Sequence, residues 1–198
     1  MIRDDLSNKL IHFTKGDAQQ AIKNFHSILS QKKLVAGTHN IKGDFKCVCF
    51  TESPIAKFSH ILANPKIYNF PYAPFGIMVD KAWLFEKGGR PVIYQPDEEY
   101  DLLDASIKYR HKTYDPLKGI DFTWEREWRI HIDELPLAPT QTTIVVPNRR
   151  YRDELIEKYT HSIKTQHMIY GNNSWLFIKE FLWHFIALED LGVKCEWQ

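Results

Sequence analysis

Trp124-Glu125-Arg126-Glu127-Trp128-Arg129-Ile130 is the stretch on which the reading of this chain turns. A strand sends successive side chains to opposite faces. Taken as a strand, the stretch puts Trp124, Arg126, Trp128 and Ile130 on one side and Glu125, Glu127, Arg129 and His131 on the other. One face can pack through tryptophans. The other carries two carboxylates, a guanidinium and an imidazole in a row, which is costly to bury and characteristic of a working site. The competing reading is an exposed face whose charges pair with one another.

Outward from this stretch, the patterning alternates between strand and helix. Leu10 to Thr14 reads as a short strand. Asp17 then caps a helix to about Gln31, whose apolar positions Ala18, Ala21, Ile22, Phe25, Ile28 and Leu29 have helical spacing. Leu34 to Ala36 and Phe45 to Thr51 read as strands. Pro54, with Ser53 as cap, opens a helix to about Ala63. Asn64 to Pro74 reads as an aromatic loop, Phe75 to Val79 as a strand and Lys81 to Lys87 as a short helix. Pro91 to Gln95 is a further strand, Asp97 to His111 a helix, and Lys112 to Asp121 a loop. Then come a strand over Thr142 to Val146, a helix over Arg149 to Tyr159 and a strand over His167 to Tyr170. A long amphipathic helix over Ser174 to Leu191 and a last strand over Val193 to Trp197 complete the chain. No βαβ rhythm emerges, so the expected class is α+β, with a split, mixed or antiparallel β-sheet and flanking helices in one domain over residues 1–198. Neither a Rossmann fingerprint nor a P-loop is present.

Composition narrows the function classes. The chain has 198 residues, 43% of them hydrophobic, with 12 Phe, 9 Tyr and 6 Trp, which is enough for a substantial core and argues against disorder. The 26 basic and 25 acidic residues nearly cancel to +1, so no global basic field announces a duplex DNA binder. Met1-Ile2-Arg3-Asp4-Asp5 lacks the apolar core of a signal peptide, and no run is long enough to span a membrane. Cys47, Cys49 and Cys195 form no disulfide framework and no zinc spacing, which implies reduced thiols, a cytoplasmic setting and no metal.

Three segments carry candidate chemistry. His12 and Thr14 share a strand face opposite Phe13 and can grip a ribose hydroxyl or a carboxamide; the other reading is a hydrogen-bonded structural histidine. In Cys47-Val48-Cys49-Phe50-Thr51-Glu52-Ser53-Pro54 a strand feeds a helix start, where Phe50 and Thr51 can pack against a planar ligand; the other reading is a plain strand-to-helix junction. Glu125 and Glu127 suit an oxocarbenium-like transition state at a glycosidic bond.

In this order the three segments resemble the ADP-ribosyltransferase superfamily, with a first strand bearing His, a second bearing an aromatic and hydroxyl element, and a later one bearing the catalytic Glu. His12-Phe13-Thr14 resembles the opening of the DarT-like toxins. The run of Cys49 to Pro54, Phe75-Gly76-Ile77, Pro91 to Tyr94 and Trp124 to Arg129 is similar to the AbiGi-like abortive-infection family of phage defence. The resemblance covers residues 10–130. It implies NAD as substrate, bound across a split sheet, with His12 and Thr14 holding a ribose or the nicotinamide amide and Glu127 favouring departure of nicotinamide. Glu125 would orient or deprotonate the acceptor, and Arg129 would hold a phosphate or pair with a glutamate. The chain departs from the pattern at Cys49-Phe50, where many relatives have Tyr, so Tyr72, Phe75 and Tyr94 are all candidates to stack on nicotinamide. The Glu-x-Glu spacing is also similar to the arginine-modifying branch, from which His12 departs.

Two basic stretches interleave with rings: Lys108-Tyr109-Arg110-His111-Lys112, and Asn148-Arg149-Arg150-Tyr151-Arg152. Cations track phosphates and rings stack on bases, so single-stranded nucleic acid is one acceptor, with protein as the other; each stretch also reads as solvated charge at a helix end. Arg149, Arg150 and Arg152 are the candidate nucleic-acid contacts. Apolar residues from Trp175 to Leu188 exceed one helical stripe, which fits burial in the core or a neutralising antitoxin protein. The leading expectation is a phage-defence transferase or toxin acting on nucleic acid. The rivals are a non-catalytic binding or antitoxin-type module, a protein-modifying enzyme, and an NAD hydrolase.

Overall fold

The computed structural model describes residues 6–63, 71–169 and 183–192. Its elements are β1 (Lys9–Lys15), α1 (Ala18–Gln31), β2 (Lys33–Val35), β3 (Cys47–Thr51), α2 (Ile55–Ala63), β4 (Tyr72–Asp80), α3 (Lys81–Glu86), β5 (Arg90–Pro91), β6 (Ile93–Gln95), β7 (His111–Thr113), β8 (Glu127–His131), β9 (Glu134–Pro136), β10 (Thr142–Val146), α4 (Arg149–Ile169) and β11 (His184–Ala187). The class is mixed α and β. Seven strands form one sheet in the order β11-β10-β4-β1-β3-β8-β5, antiparallel except for the parallel β10–β11 pair. Two small sheets join β2 to β9 and β6 to β7.

Register fixes the faces. β3 and β8 pair from Cys47–His131 to Thr51–Glu127, so Phe50 lies opposite Trp128 and Cys49 opposite Arg129. β1 meets β3 at one registered pair, Ile11 with Thr51, whereas it pairs with β4 from Lys9–Asp80 to Lys15–Tyr72. The β1–β4 register slips between Phe13 and Lys15, where Pro74 offers no N–H to a ladder. One face of the large sheet buries Leu10, Val48, Phe50, Ile77, Trp128, Ile130 and Ile144 beneath Phe25 and Leu29 of α1 and Leu155 of α4. The opposite face is apolar only at its β1–β4–β10 side, where Ile11, Phe13, Met78 and Val145 pack with Leu62 of α2 and Leu188. Gly76 makes that packing possible: a Cβ there would stand 3.0 Å from the Phe13 ring.

Several sequence expectations hold. Asp17 caps α1, its carboxylate accepting from Gln20 N at 2.9 Å. Others are corrected. Trp124 to Arg126 is not strand: Thr123–Glu125 is a 3₁₀ turn, Arg126 is left-handed at φ 45°, and the strand begins at Glu127. Side chains of the β3 end hold this turn, since Thr51 Oγ1 donates to the Glu125 carbonyl and Ser53 Oγ donates to the Trp124 carbonyl at 2.6 Å. Ser53, the residue expected to cap α2, thus also ties the helix start to that turn. Trp124 is exposed and does not share the Trp128 face.

Asp97 to His111 is not one helix. It forms 3₁₀ turns at Asp97–Leu102 and Lys108–Arg110 and then enters β7; the first turn has no buried residue, so nothing docks a longer helix there. Pro91 to Gln95 divides between β5 and β6 in different sheets, with Pro91 on the sheet edge, where its missing N–H costs least. α4 continues to Ile169, so residues 167–169 are helical and not strand; no Gly or Pro interrupts Arg149–Ile169. His184–Ala187 is a strand and Leu188–Leu191 a 3₁₀ turn, where a helix was expected. A short apolar run does not distinguish helix from strand, and pairing with β10 decides it. The expectations over 64–70, 170–182 and 193–197 lie outside the described residues. No helix of the described residues is long and apolar enough to cross a membrane.

Candidate active site

β8 carries Glu127 and Arg129 on the face opposite the tryptophan core, and the β6–β7 pair lies over them. Glu127 is 7% exposed and Arg129 0%. Arg129 Nε donates to Glu127 Oε1 at 2.7 Å and its Nη2 to Oε2 at 3.3 Å, while Nη1 donates to the carbonyls of Tyr109 and His111, both at 2.8 Å. The backbone entering β7 thus fixes the guanidinium, and the guanidinium fixes the carboxylate.

Glu125 reaches the same place from the turn before the strand. Its Oε1 accepts from the Tyr72 hydroxyl at 3.0 Å. Lys112 on β7 places Nζ 3.2 Å from Glu127 Oε2 and 3.6 Å from Glu125 Oε2, with the ammonium 4.7 Å from the centre of the Phe122 ring. The Tyr94 hydroxyl accepts the Glu127 backbone N–H at 3.0 Å and donates to the Phe122 carbonyl at 3.2 Å. Thr51 stands opposite Glu127 in register. The sheet therefore gathers Glu125, Glu127, Arg129, Thr51, Tyr72 and Tyr94.

The electrostatics follow from burial against pairing. Burial alone would push the Glu127 carboxyl up. The Arg129 hydrogen bond and charge, with Lys112 behind them, outweigh it and hold Glu127 below the usual carboxylate range. Burial and then the Glu127 charge push the neighbouring Cys49 thiol up to about 12, so it stays protonated and donates to that carboxylate. Burial likewise takes Tyr94 up to about 12, and it raises Tyr72, with Glu125 adding to the effect. The cluster thus sets Glu125, Glu127, Arg129 and Lys112 among neutral donors.

Other expected site residues lie elsewhere. Phe50 is buried in the core. His12 faces it edge-on at 5.9 Å, and by register both lie opposite the Glu127 face. His12 Nδ1 donates to the Cys49 carbonyl at 2.8 Å, bridging β1 and β3; burial lowers its pKa, with that bond opposing and Lys15 assisting. Thr14 is buried and donates to the Phe75 carbonyl at 3.1 Å. His131 stands at the exposed end of β8 between the rings of Phe45 and Tyr109. Arg149 pairs with Asp190, Arg150 with Glu154 and Arg152 with Asp153, all at the surface.

Two residues escaped the sequence reading. Lys112 reads in the sequence as part of a basic stretch, although β7 turns it inward. Glu52 sits in a strand-to-helix junction, yet its buried carboxylate accepts from Trp128 Nε1 at 2.8 Å and from Lys81 at 2.7 Å. No local signal marked either one. Among the described residues no group of His, Cys, Asp or Glu could hold a metal ion. Comparison with family models, with curated proteins and with solved structures returns no match.

Proposed function

We propose that this chain is an NAD-dependent ADP-ribosyltransferase, an effector of phage defence whose acceptor is single-stranded nucleic acid. One observation carries the reading. The three segments with the transferase-like motifs, far apart along the chain, are β1, β3 and β8, consecutive neighbours in one sheet, with Ile11, Thr51 and Glu127 in a single cross-strand row. β1 and β3 share one registered pair and are bridged beyond it by His12, which supports a split sheet, the arrangement across which the transferase reading seats NAD.

In the proposed reaction the C1′–N bond to nicotinamide breaks and its electron pair leaves with the ring nitrogen. The ionised Glu127 carboxylate stabilises the positive charge growing on the ribosyl carbon. An acceptor oxygen or nitrogen then bonds to C1′, and Glu125 takes the proton it sheds. Tyr72, held to Glu125, and Tyr94, held to the Glu127 backbone, are the rings nearest the carboxylates and the candidates to contact nicotinamide.

A second reading, a binding module without turnover, has its own support: Glu127 is nearly buried and its oxygens are already occupied by Arg129 and Lys112. Nicotinamide release from NAD separates the two. The wild-type protein is expected to release it and folded Glu127→Gln to lose that activity by about 100-fold or more, on the order of a lost charge-stabilising group. Equal release by both proteins rejects Glu127, and no release by the wild type, with or without lysate, leaves the binding module. Labelled NAD in lysate, followed by nuclease or protease, identifies the acceptor polymer.

A further inference from the structure

We propose that Lys112 is a positioning residue for this glycosyl transfer, an inference that rests on the transferase reading: its ammonium is the shared counter-charge that lets Glu125 and Glu127 remain ionised together. Two carboxylates within reach of one cation repel each other, and removing that cation favours the acid form of one of them. The structure divides the available charge unequally. Among the described residues Arg129 gives its carboxylate hydrogen bonds to Glu127, and its Nη1 is spent on the Tyr109 and His111 carbonyls. Glu125 receives a neutral phenol from Tyr72 on β4. Cys49 on β3 and Tyr94 on β6 also face the cluster, and both are protonated. Among the described residues Lys112 is the cation that reaches both carboxylates, at 3.6 and 3.2 Å.

The fold aims it there. β6 and β7 pair in parallel with Tyr94 beside Lys112, so one residue pair delivers a hydroxyl to the Glu127 backbone and an ammonium to its side chain. The Phe122 ring backs the ammonium at 4.7 Å. Lys112 is 13% exposed in its side chain, so water screens this arrangement poorly. The reaction needs both charges: Glu127 must be anionic to stabilise the ribosyl cation, and Glu125 must be anionic to receive the acceptor proton.

The test is the pH dependence of NAD turnover in Lys112→Met, Lys112→Arg and Lys112→Met with Glu125→Gln. Lys112→Met is expected to move the acid limb of kcat upward by about one pH unit or more, with KM for NAD changed less than kcat. Lys112→Arg returns the limb to its wild-type position. Adding Glu125→Gln returns it too, because a lone Glu127 beside Arg129 has no like-charged neighbour, although kcat stays low. A Lys112→Met profile that superimposes on wild type after scaling overturns the proposal and leaves a packing role. Infrared titration needs neither NAD nor turnover. The wild-type protein should show no protonated carboxyl at neutral pH that disappears in Glu125→Gln, and on acidification that carboxyl should appear in Lys112→Met at a pH higher than in the wild type by about one unit or more. Such a carboxyl in the wild type at neutral pH overturns the proposal even if Lys112→Met does not fold. A wild type without NAD turnover rejects the transferase reading, and the infrared result then decides the charge-sharing role of Lys112 by itself.

Discussion

The ion pairs beneath β6–β7 and those at the start of α4 are made from the same kinds of side chain, yet they are physically different objects. Arg129 is 0% exposed and holds Glu127 with two of its nitrogens, whereas the side chain of Arg150 is 87% exposed and meets Glu154 one helical turn away. Arg149 and Arg152 likewise find carboxylates at the surface. Water and salt screen the second set, and such pairs are worth about 0–1 kcal/mol. The first set has surrendered hydration, so each charge depends on its partner. Buried polar clusters of this kind gather where chemistry is done, while surface pairs are ordinary solvated charge. Burial therefore ranks the two candidate sites in a way that residue type does not.

The sharpest way to break this contrast is Arg129→Met. It strands Glu127 and leaves the Tyr109 and His111 carbonyls without their donor, and it should cost about 3–5 kcal/mol of stability. Replacing Glu127 by Met as well should recover much of the loss, because the stranded charge disappears. Urea denaturation of the four proteins in the cycle measures both effects. A loss below about 1 kcal/mol for Arg129→Met would place the buried pair in the same class as the surface ones.

Acid is a gentler probe. The Glu127 pKa is depressed in the folded protein, so its pairing stabilises the fold above the unfolded-state carboxylate pKa. That contribution is lost as pH falls through the folded value. Wild-type stability should therefore fall on acidification below the ordinary carboxylate range, and Glu127→Gln should show a shallower fall over the same window while starting lower at neutral pH. Denaturation curves across an acid pH series test the sign. Parallel curves for the two proteins would show that Glu127 titrates as an exposed carboxylate does.

How much of this was legible depends on how local each cause is. Asp17 announces α1 because a cap and a helical stripe lie within one stretch. The short apolar run of Cys47–Thr51 announces β3. Trp124 to Arg126 shares the alternation of the strand that follows it and misleads, because what bends it is remote: the hydroxyls of Thr51 and Ser53 donate to its carbonyls, and Arg126 accepts a left-handed backbone with no Gly or Asn to signal it. Glu125 nonetheless ends beside Glu127, since Lys112 and Tyr72 collect it from outside the strand. His184–Ala187 follows the same lesson, its state being set by a parallel partner in β10. The inward turn of Lys112 depends on β6 and β7 meeting across a gap that no short pattern spans.

The smallest structural effect belongs to Arg149, Arg150 and Arg152, and it is the one that most sharpens the comparison. Each Arg→Ala change should alter stability by less than about 1 kcal/mol, because the partner carboxylates rehydrate freely. That same weakness leaves the arginines able to exchange a carboxylate for a phosphate. If they hold single-stranded nucleic acid, the triple Ala variant should bind it more weakly and with a shallower salt dependence, by about 0.7 in the log–log slope for each phosphate that the variant no longer neutralises. On the transferase reading NAD is held at the buried cluster, at the other side of the sheet order, and its affinity should persist. Filter binding over a salt series, alongside calorimetry with NAD, reads the two sites separately. An unchanged salt slope would return these arginines to the role of solvated helix-end charge and move the acceptor question to protein. A fallen NAD affinity would show that the buried and exposed charge sets are coupled, contrary to the independence their separation implies.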